Sequence, residues 1–350
     1  MNTRPVLVVV GGFLGAGKTT LILSAASLLA KRGKRSAVIL NDQGGDLVDT
    51  RFVRQSGFAA GEVTGGCFCC RFSDLISAAS ELRAHSPDVI FAEPVGSCTD
   101  ISATILQPLR RDFPADYRLA AYTVLVDPAQ ANALRRAGAN PDMRFLYEKQ
   151  LEEADLVCLT KADLGETAEC GATPSVSVSA KTGEGVEAWL DRVIAGDIPA
   201  GGQILEIDYQ RYAEAEAALA WLNCAATVRP SPPLSPAQVL GPLVDALQAR
   251  LNAAGIPIAH LKAVDDSPAG FLKAAVTGNS REPVIEGAFS ASPSETHELF
   301  INLRAVGEPD LVRKLVEDEV RALPGEISVD RLVCFRPSPP KPERRIPAVV

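Results

Sequence analysis

Several kinds of stretch are missing from these 350 residues. None comes near the eighteen or so consecutive apolar residues that a membrane-spanning helix requires, so no membrane partner is expected. No basic block offsets the acidic balance: 35 Lys and Arg face 43 Asp and Glu, a net charge of −8. That argues against a nucleic-acid partner, because sequence-independent affinity comes from Lys and Arg neutralising phosphates. Histidine is scarce, three in all, and forms no tract that would store metal. The start carries Arg4 and an apolar run, but the run is too short for a secretory leader and leads straight into Gly17-Lys18-Thr19-Thr20. A soluble, cytoplasmic protein is the expectation, and there eight cysteines read as thiols or metal ligands rather than disulfides.

What is present suffices for two cores. With 47% hydrophobic and 22% charged residues the balance is that of a globular chain. Its length exceeds the size at which one core usually serves.

The rest is organised around Val6-Leu7-Val8-Val9-Val10, a run without a polar residue that reads as a parallel strand buried on both faces. Gly12-x-x-x-x-Gly17-Lys18-Thr19 follows and fits the phosphate-binding loop. Glycines let successive amides curl toward phosphate oxygens, and a helix from about Lys18 adds the positive end of its dipole. Gly12, Gly15, Ala16, Gly17, Lys18, Thr19 and Thr20 form the candidate cradle. Lys18 reaches the β- and γ-phosphates there, and the Thr19 hydroxyl is the magnesium ligand. A glycine-rich turn of some other α/β protein is the bland alternative, disfavoured because strand, loop and helix occur in the right order.

Ser36 to Leu40 is a second strand, with Asn41-Asp42-Gln43-Gly44-Gly45-Asp46 at its carboxyl end. Ligands of open α/β sheets sit at that edge, which favours Asp42 near the magnesium over an ordinary turn. Gly65-Gly66-Cys67-Phe68-Cys69-Cys70 then places three thiols in four residues behind a flexible glycine pair. Thiolates are soft donors suited to zinc, copper(I) and similar ions, so Cys67, Cys69 and Cys70 are candidate transition-metal ligands. Three local sulfurs leave a fourth position for a ligand from elsewhere, from water or from a client, as a transferable site requires. Small buried residues or a redox site would explain clustered cysteines less well.

Ser73 to about Ala84 reads as a helix capped by Ser73. Asp88 to Glu93 is the next strand; Glu93 is the candidate carboxylate of the magnesium shell and Gly96 the candidate γ-phosphate sensor. Lys18, Thr19 and Glu93 are thus the candidate catalytic set. Cys98 could add a fourth sulfur, although a packed thiol is the simpler account. Ala120 to Asp127 is a strand, Pro141 towards Glu153 a helix, and Asp155-Leu156-Val157-Cys158-Leu159 a strand that exits into Thr160-Lys161-Ala162-Asp163. This matches the guanine motif Asn-Lys-x-Asp except at its first residue. The Asp163 carboxylate can accept from N1 and the 2-amino group of guanine, donors that adenine lacks. Ser179-Ala180-Lys181, after a strand from Pro174 to Val178, fits the second base-contacting loop.

In this order these motifs resemble the CobW family of metallochaperone GTPases, relatives of the nickel chaperones for hydrogenase and urease. The resemblance covers about residues 5 to 195, and Cys67-x-Cys69-Cys70 between the phosphate loop and the acidic strand is its most specific part. It implies a P-loop GTPase domain that takes GTP, magnesium and a transition metal, zinc or cobalt, and delivers the metal to a client metalloenzyme or apoprotein. Three departures stand out: Thr160 in place of Asn, Glu93-Pro94-Val95-Gly96 in place of Glu-Thr-Thr-Gly, and only ten residues, Leu164 to Thr173, for a crossover that normally includes a helix.

The expected fold class is α/β, a P-loop GTPase domain with a mostly parallel sheet over residues 1–198. Residues 196–204 read as the linker, 205–335 as a smaller α+β domain with helices on one face of a sheet, and 336–350 as an extended, solvated proline-rich tail. The second domain is read as a strand near Ala217 to Val228, a helix from Ser235 to about Ala254, four strands between Ala259 and Val306, a helix from about Pro309 and a last strand to Phe335. His260 and His297 read as packed or solvated histidines, and Trp221 as core. Two alternatives remain: a GTPase switch that assists assembly of a cobalamin-dependent enzyme, with the cysteines structural, and a P-loop small-molecule kinase. Self-association is left open.

Overall fold

The apolar run Val6–Gly12 forms strand β1, whose seven residues are all buried. The computed structural model describes residues 4–44 and 48–350, so Gly45 and Asp46 of the turn after β2 lie outside the described residues. In chain order the elements around β1 are α1 (Lys18–Lys31), β2 (Ser36–Asn41), α2 (Val48–Gln55), β3 (Ala59–Val63), α3 (Phe72–Leu82), β4 (Val89–Glu93), α4 (Gln107–Asp112), β5 (Arg118–Leu119), β6 (Thr123–Val126), α5 (Pro128–Arg135), α6 (Pro141–Glu152), β7 (Leu156–Leu159), β8 (Ser175–Ser177), α7 (Val186–Ala195) and α8 (Tyr209–Ala217). The sheet runs β3-β2-β4-β1-β6-β7-β8, with β5 also on β1, and every described pairing is parallel. Parallel strands share one carboxyl edge. The phosphate loop, Asp42, the cysteine turn, the loop after Glu93 and the base-recognition loops all leave the sheet at that edge.

The second sheet is antiparallel, in the order β12-β11-β10-β13-β9-β14. Its elements are β9 (Leu219–Arg229), α9 (Pro236–Ala253), β10 (Ile258–Ser267), β11 (Gly270–Val276), β12 (Val284–Gly287), β13 (His297–Val306), α10 (Pro309–Arg321) and β14 (Glu326–Phe335). Helices α9 and α10 touch each other and the sheet. They bury Leu222, Val244, Leu247, Leu303 and Val316 in one core. Ser235 opens α9 with a reciprocal capping box to Gln238. His297 is a packed histidine, with Nδ1 2.8 Å from Asp265 and Nε2 3.2 Å from the Ser294 carbonyl. Trp221 is core, beneath the buried Arg304 guanidinium.

The chain divides into two compact units: Met1–Gln43, Asp49–Ala215 and Pro339–Val350 in one, Gly44–Val48 and Glu216–Ser338 in the other. Three expectations are corrected here. The stretch 196–204 is held to the first unit, because the buried Asp155 carboxylate accepts from Gly201 N–H at 2.6 Å and Gly202 N–H at 2.8 Å. Residues 339–350 are likewise a docked segment of the first unit rather than a solvated tail. Ser73 is not the cap of α3, which starts at Phe72 after Arg71. Its N–H and hydroxyl instead donate to Glu343 at 3.0 and 2.7 Å, so a carboxylate from that segment sits on the first turn of the helix. Helices α2, α4, α5, α7 and α8 carried no expectation from the sequence. The β7–β8 connection contains only a 3-10 turn at Ala162–Leu164, enough because β8 is the three-residue edge strand beside β7.

Candidate functional site

The phosphate loop joins β1 to α1. Gly17 stands at φ 93 as the N-cap of α1, a conformation that a side chain would strain, and this turns the first amides of the helix toward the loop. Lys18 and Thr19 are buried. The Lys18 ammonium donates to the Gly12 carbonyl at 2.9 Å, and the Thr19 hydroxyl donates to Glu93 at 2.9 Å. A hydroxyl and a carboxylate meeting beside an anion-binding loop form the oxygen donor set that magnesium takes with a nucleotide. Glu93 ends β4, and its loop turns back on the phosphate loop at Gly96. A Cβ at Gly96 would come within 2.8 Å of the Leu14 side chain and 3.0 Å of its backbone nitrogen, so only glycine permits this approach.

The base-recognition residues converge on the next strand ends. Thr160, which replaces the motif's Asn, donates its hydroxyl to the Ala16 carbonyl at 2.9 Å and so ties this loop to the phosphate loop. Lys161, at φ 58, pairs with Asp127 at 2.7 Å, while Asp127 also caps α5. Asp163 is exposed and accepts from the buried Ser179 hydroxyl at 2.6 Å; Ala180 and Lys181 follow, Lys181 exposed. Gly15, Ala16 and Thr20 lie in the loop and the first turn of α1, as their sequence positions require. Asp42 is half-buried just past β2, with its N–H on the Val63 carbonyl at 3.1 Å.

The three thiols of the turn after β3 face one point. Their sulfurs are 2.8 Å (Cys67–Cys69), 3.4 Å (Cys67–Cys70) and 3.7 Å (Cys69–Cys70) apart. In a tetrahedral zinc site with bonds of about 2.3 Å, the sulfurs stand about 3.8 Å apart, so a small opening of this trio admits the ion. Cys67 and Cys69 are buried and Cys70 half-buried. The Cys69 thiol is held well above its ordinary range, first by Cys67, then by Cys70, Cys98 and burial. That of Cys70 is pushed up to about 11, first by its contact with Cys67. Neutral thiols at neutral pH must lose protons as a metal enters.

Two supports of this turn escaped the sequence reading. Asn41, the last residue of β2, clamps it: the amide donates to the Val63 carbonyl at 2.9 Å and the Gly66 carbonyl at 2.8 Å, and its oxygen accepts from Phe68 N–H at 2.8 Å. A polar residue closing an apolar strand was the available signal, but nothing local told which backbone it would reach. Segment 339–350 is the second support. Lys341 N–H donates to the Cys70 sulfur at 3.1 Å and Glu343 N–H to the Cys69 carbonyl at 2.9 Å.

Comparison with known proteins bears on this constellation. The family model for the CobW/HypB/UreG nucleotide-binding domain matches residues 6–179. "Zinc chaperone CobW" of Sinorhizobium sp. is 33% identical over 180 residues, covering 45% of this chain and 50% of that protein. "Zinc chaperone CobW" of Pseudomonas aeruginosa is 30% identical over 233 residues, 57% of this chain and 55% of that protein. The chain thus spans about half the length of the curated relatives it matches. Among solved structures, HypB from Helicobacter pylori in complex with nickel aligns with a TM-score of 0.42 at 18% identity, covering 55% of this chain and 86% of that one. No helix among the described residues is long and apolar enough to cross a membrane. Over residues 6–179 the chain carries the nucleotide-binding domain of the CobW/HypB/UreG family.

Proposed function

We propose that this protein is a cytoplasmic, GTP-hydrolysing metallochaperone. It takes a transition metal, zinc or cobalt, on Cys67, Cys69 and Cys70 and passes it to a client protein. The observation that carries this reading is the convergence of three thiols within 4.8 Å of one another on a turn held by the strand that leads into Asp42. The names of the two relatives favour zinc.

In this reading the amides of the phosphate loop and Lys18 bind the β- and γ-phosphates of GTP. Thr19 and Glu93 hold magnesium, which neutralises charge on the phosphate oxygens. Gly96 brings its loop against the phosphate loop, so that loss of the γ-phosphate is felt there. Asp163, oriented by Ser179, accepts from N1 and the 2-amino group of guanine, donors that adenine lacks, which favours GTP over ATP. Because Asn41 joins the Asp42 segment to the cysteine turn, metal affinity depends on the nucleotide, and linkage requires the converse.

Zinc titration of the GTP-bound and GDP-bound protein against a chelator tests this. Different affinities in the two states are expected, together with loss of zinc binding in the Cys67→Ser, Cys69→Ser, Cys70→Ser triple variant. Equal affinities remove the coupling, and zinc binding that survives the triple variant removes the metal site.

A further inference from the structure

Cys98 lies two residues beyond Gly96, on the loop that leaves β4 after Glu93, and is fully buried. Its thiol interacts by hydrogen bonding with those of Cys67 and Cys69. The loop around it is tightly held. Cys98 N–H donates to the Val95 carbonyl at 2.9 Å, and the Gln150 amide donates to the Gly96 and Cys98 carbonyls at 3.0 and 2.9 Å. Asp100 sits at φ 64, a left-handed conformation that a non-glycine residue keeps only when its surroundings enforce it. Here Tyr209 donates to its carboxylate at 2.5 Å and Arg345 pairs with it at 2.8 Å. This loop therefore brings a fourth sulfur to the trio from a different strand end.

We propose that Cys98 is the fourth thiolate of the metal site, closing a four-sulfur tetrahedron around the ion. This rests on the reading of Cys67, Cys69 and Cys70 as metal ligands. The chemistry suits it, since zinc in closed sites is held by four protein donors, while a site that exchanges its ion keeps one position open. Cys98 interacts with Cys67 and Cys69 but lies outside the group of three whose sulfurs all stand within 4.8 Å of one another, so it has to close on the trio, Cys70 included. The segment that makes this closure also carries Glu93 and Gly96, which face the phosphate loop. Movement of that segment with the nucleotide switches the ion between four sulfurs, retained, and three sulfurs with an open position, transferable. Each thiol loses its proton to solvent as its metal–sulfur bond forms, so no oxidant or reductant enters.

X-ray absorption on the zinc-loaded full-length chain reads the sulfur count directly. Four sulfurs at about 2.3 Å are expected in one nucleotide state. Three sulfurs and a lighter atom with both GDP and a non-hydrolysable GTP analogue would overturn the proposal. In the cobalt(II)-loaded protein, in the nucleotide state that shows four sulfurs, Cys98→Ser should lower the thiolate-to-metal charge-transfer absorbance by about a quarter, one thiolate in four. An unchanged spectrum in that variant, shown to be folded by circular dichroism, would also overturn it. These failures differ from failure of the underlying reading. There the wild-type protein would take up no zinc, or the triple variant at Cys67, Cys69 and Cys70 would take up as much as wild type.

Discussion

Asn41 connects the cysteine turn to the sheet through three hydrogen bonds, two given to the Val63 and Gly66 carbonyls and one taken from Phe68 N–H. Removing its amide leaves buried backbone groups without a partner, at about 1–3 kcal/mol. Asn41→Ala is therefore expected to weaken zinc binding by about ten- to a hundredfold, measured by chelator competition, since 1.4 kcal/mol is about a factor of ten. Unchanged affinity would show that the turn holds its shape alone. Glu153 supports the neighbouring loop in the same way, accepting from the Thr99 hydroxyl at 3.0 Å and Ser102 N–H at 3.2 Å. Burial, with Asp100 nearby, pushes this carboxyl up to about 8 from an ordinary value of 4.5; Asp100 itself is paired with Arg345. The folded state thus binds a proton that the unfolded state releases between those values, and stability falls as pH rises from about 4.5 to about 8. Glu153→Gln removes that contribution. Urea midpoints of variant minus wild type should move in the variant's favour across this window, and a flat difference would contradict the assignment. Both residues were beyond sequence reading because their partners are set by packing, whereas Lys18, Thr19 and the three thiols declared themselves by spacing.

Segment 339–350 shows how an element without regular structure can be ordered by its partners. Glu343 caps the first turn of α3, Arg344 lies over the Phe72 ring and pairs with Asp112, and Ile346 N–H reaches the Ala103 carbonyl at 2.9 Å. Its composition, rich in proline and basic residues, reads as a solvated tail because each residue is locally unremarkable. The partners that hold it are the Ser73 donors of α3, Asp112 of α4 and Asp100 of the loop after β4. A chain ending at Ser338 is expected to expose Cys70 to alkylating reagents, so that its modification becomes faster than in the full chain, as read by mass spectrometry. Equal rates would mean that the segment does not shield the thiol. Helices α1, α9 and α10 were legible at nearly their observed limits. Helix α5 was missed because Asp127 ends one element and caps the next.

For the molecule as a whole, an α/β nucleotide-binding unit followed by an antiparallel sheet with two helices could be read from the order of motifs and strands. The chain itself dictates the phosphate loop, whose glycines, lysine and threonine act within eight residues, and the thiol trio, whose spacing alone turns several sulfurs toward one point. Where the units divide could not be read. Asp155 holds residues 201 and 202 to the first unit, and residues 339–350 return to it across the intervening sheet in sequence. Only the tertiary structure decided that Asn41, Cys98 and Lys341 meet the cysteine turn. The Asn41 clamp spans 27 residues and depends on which parallel strand ends become neighbours in the sheet, while the Lys341 contact spans 271 and depends on where segment 339–350 docks. Strand order comes from the packing of the whole core, which no local pattern of residue types encodes.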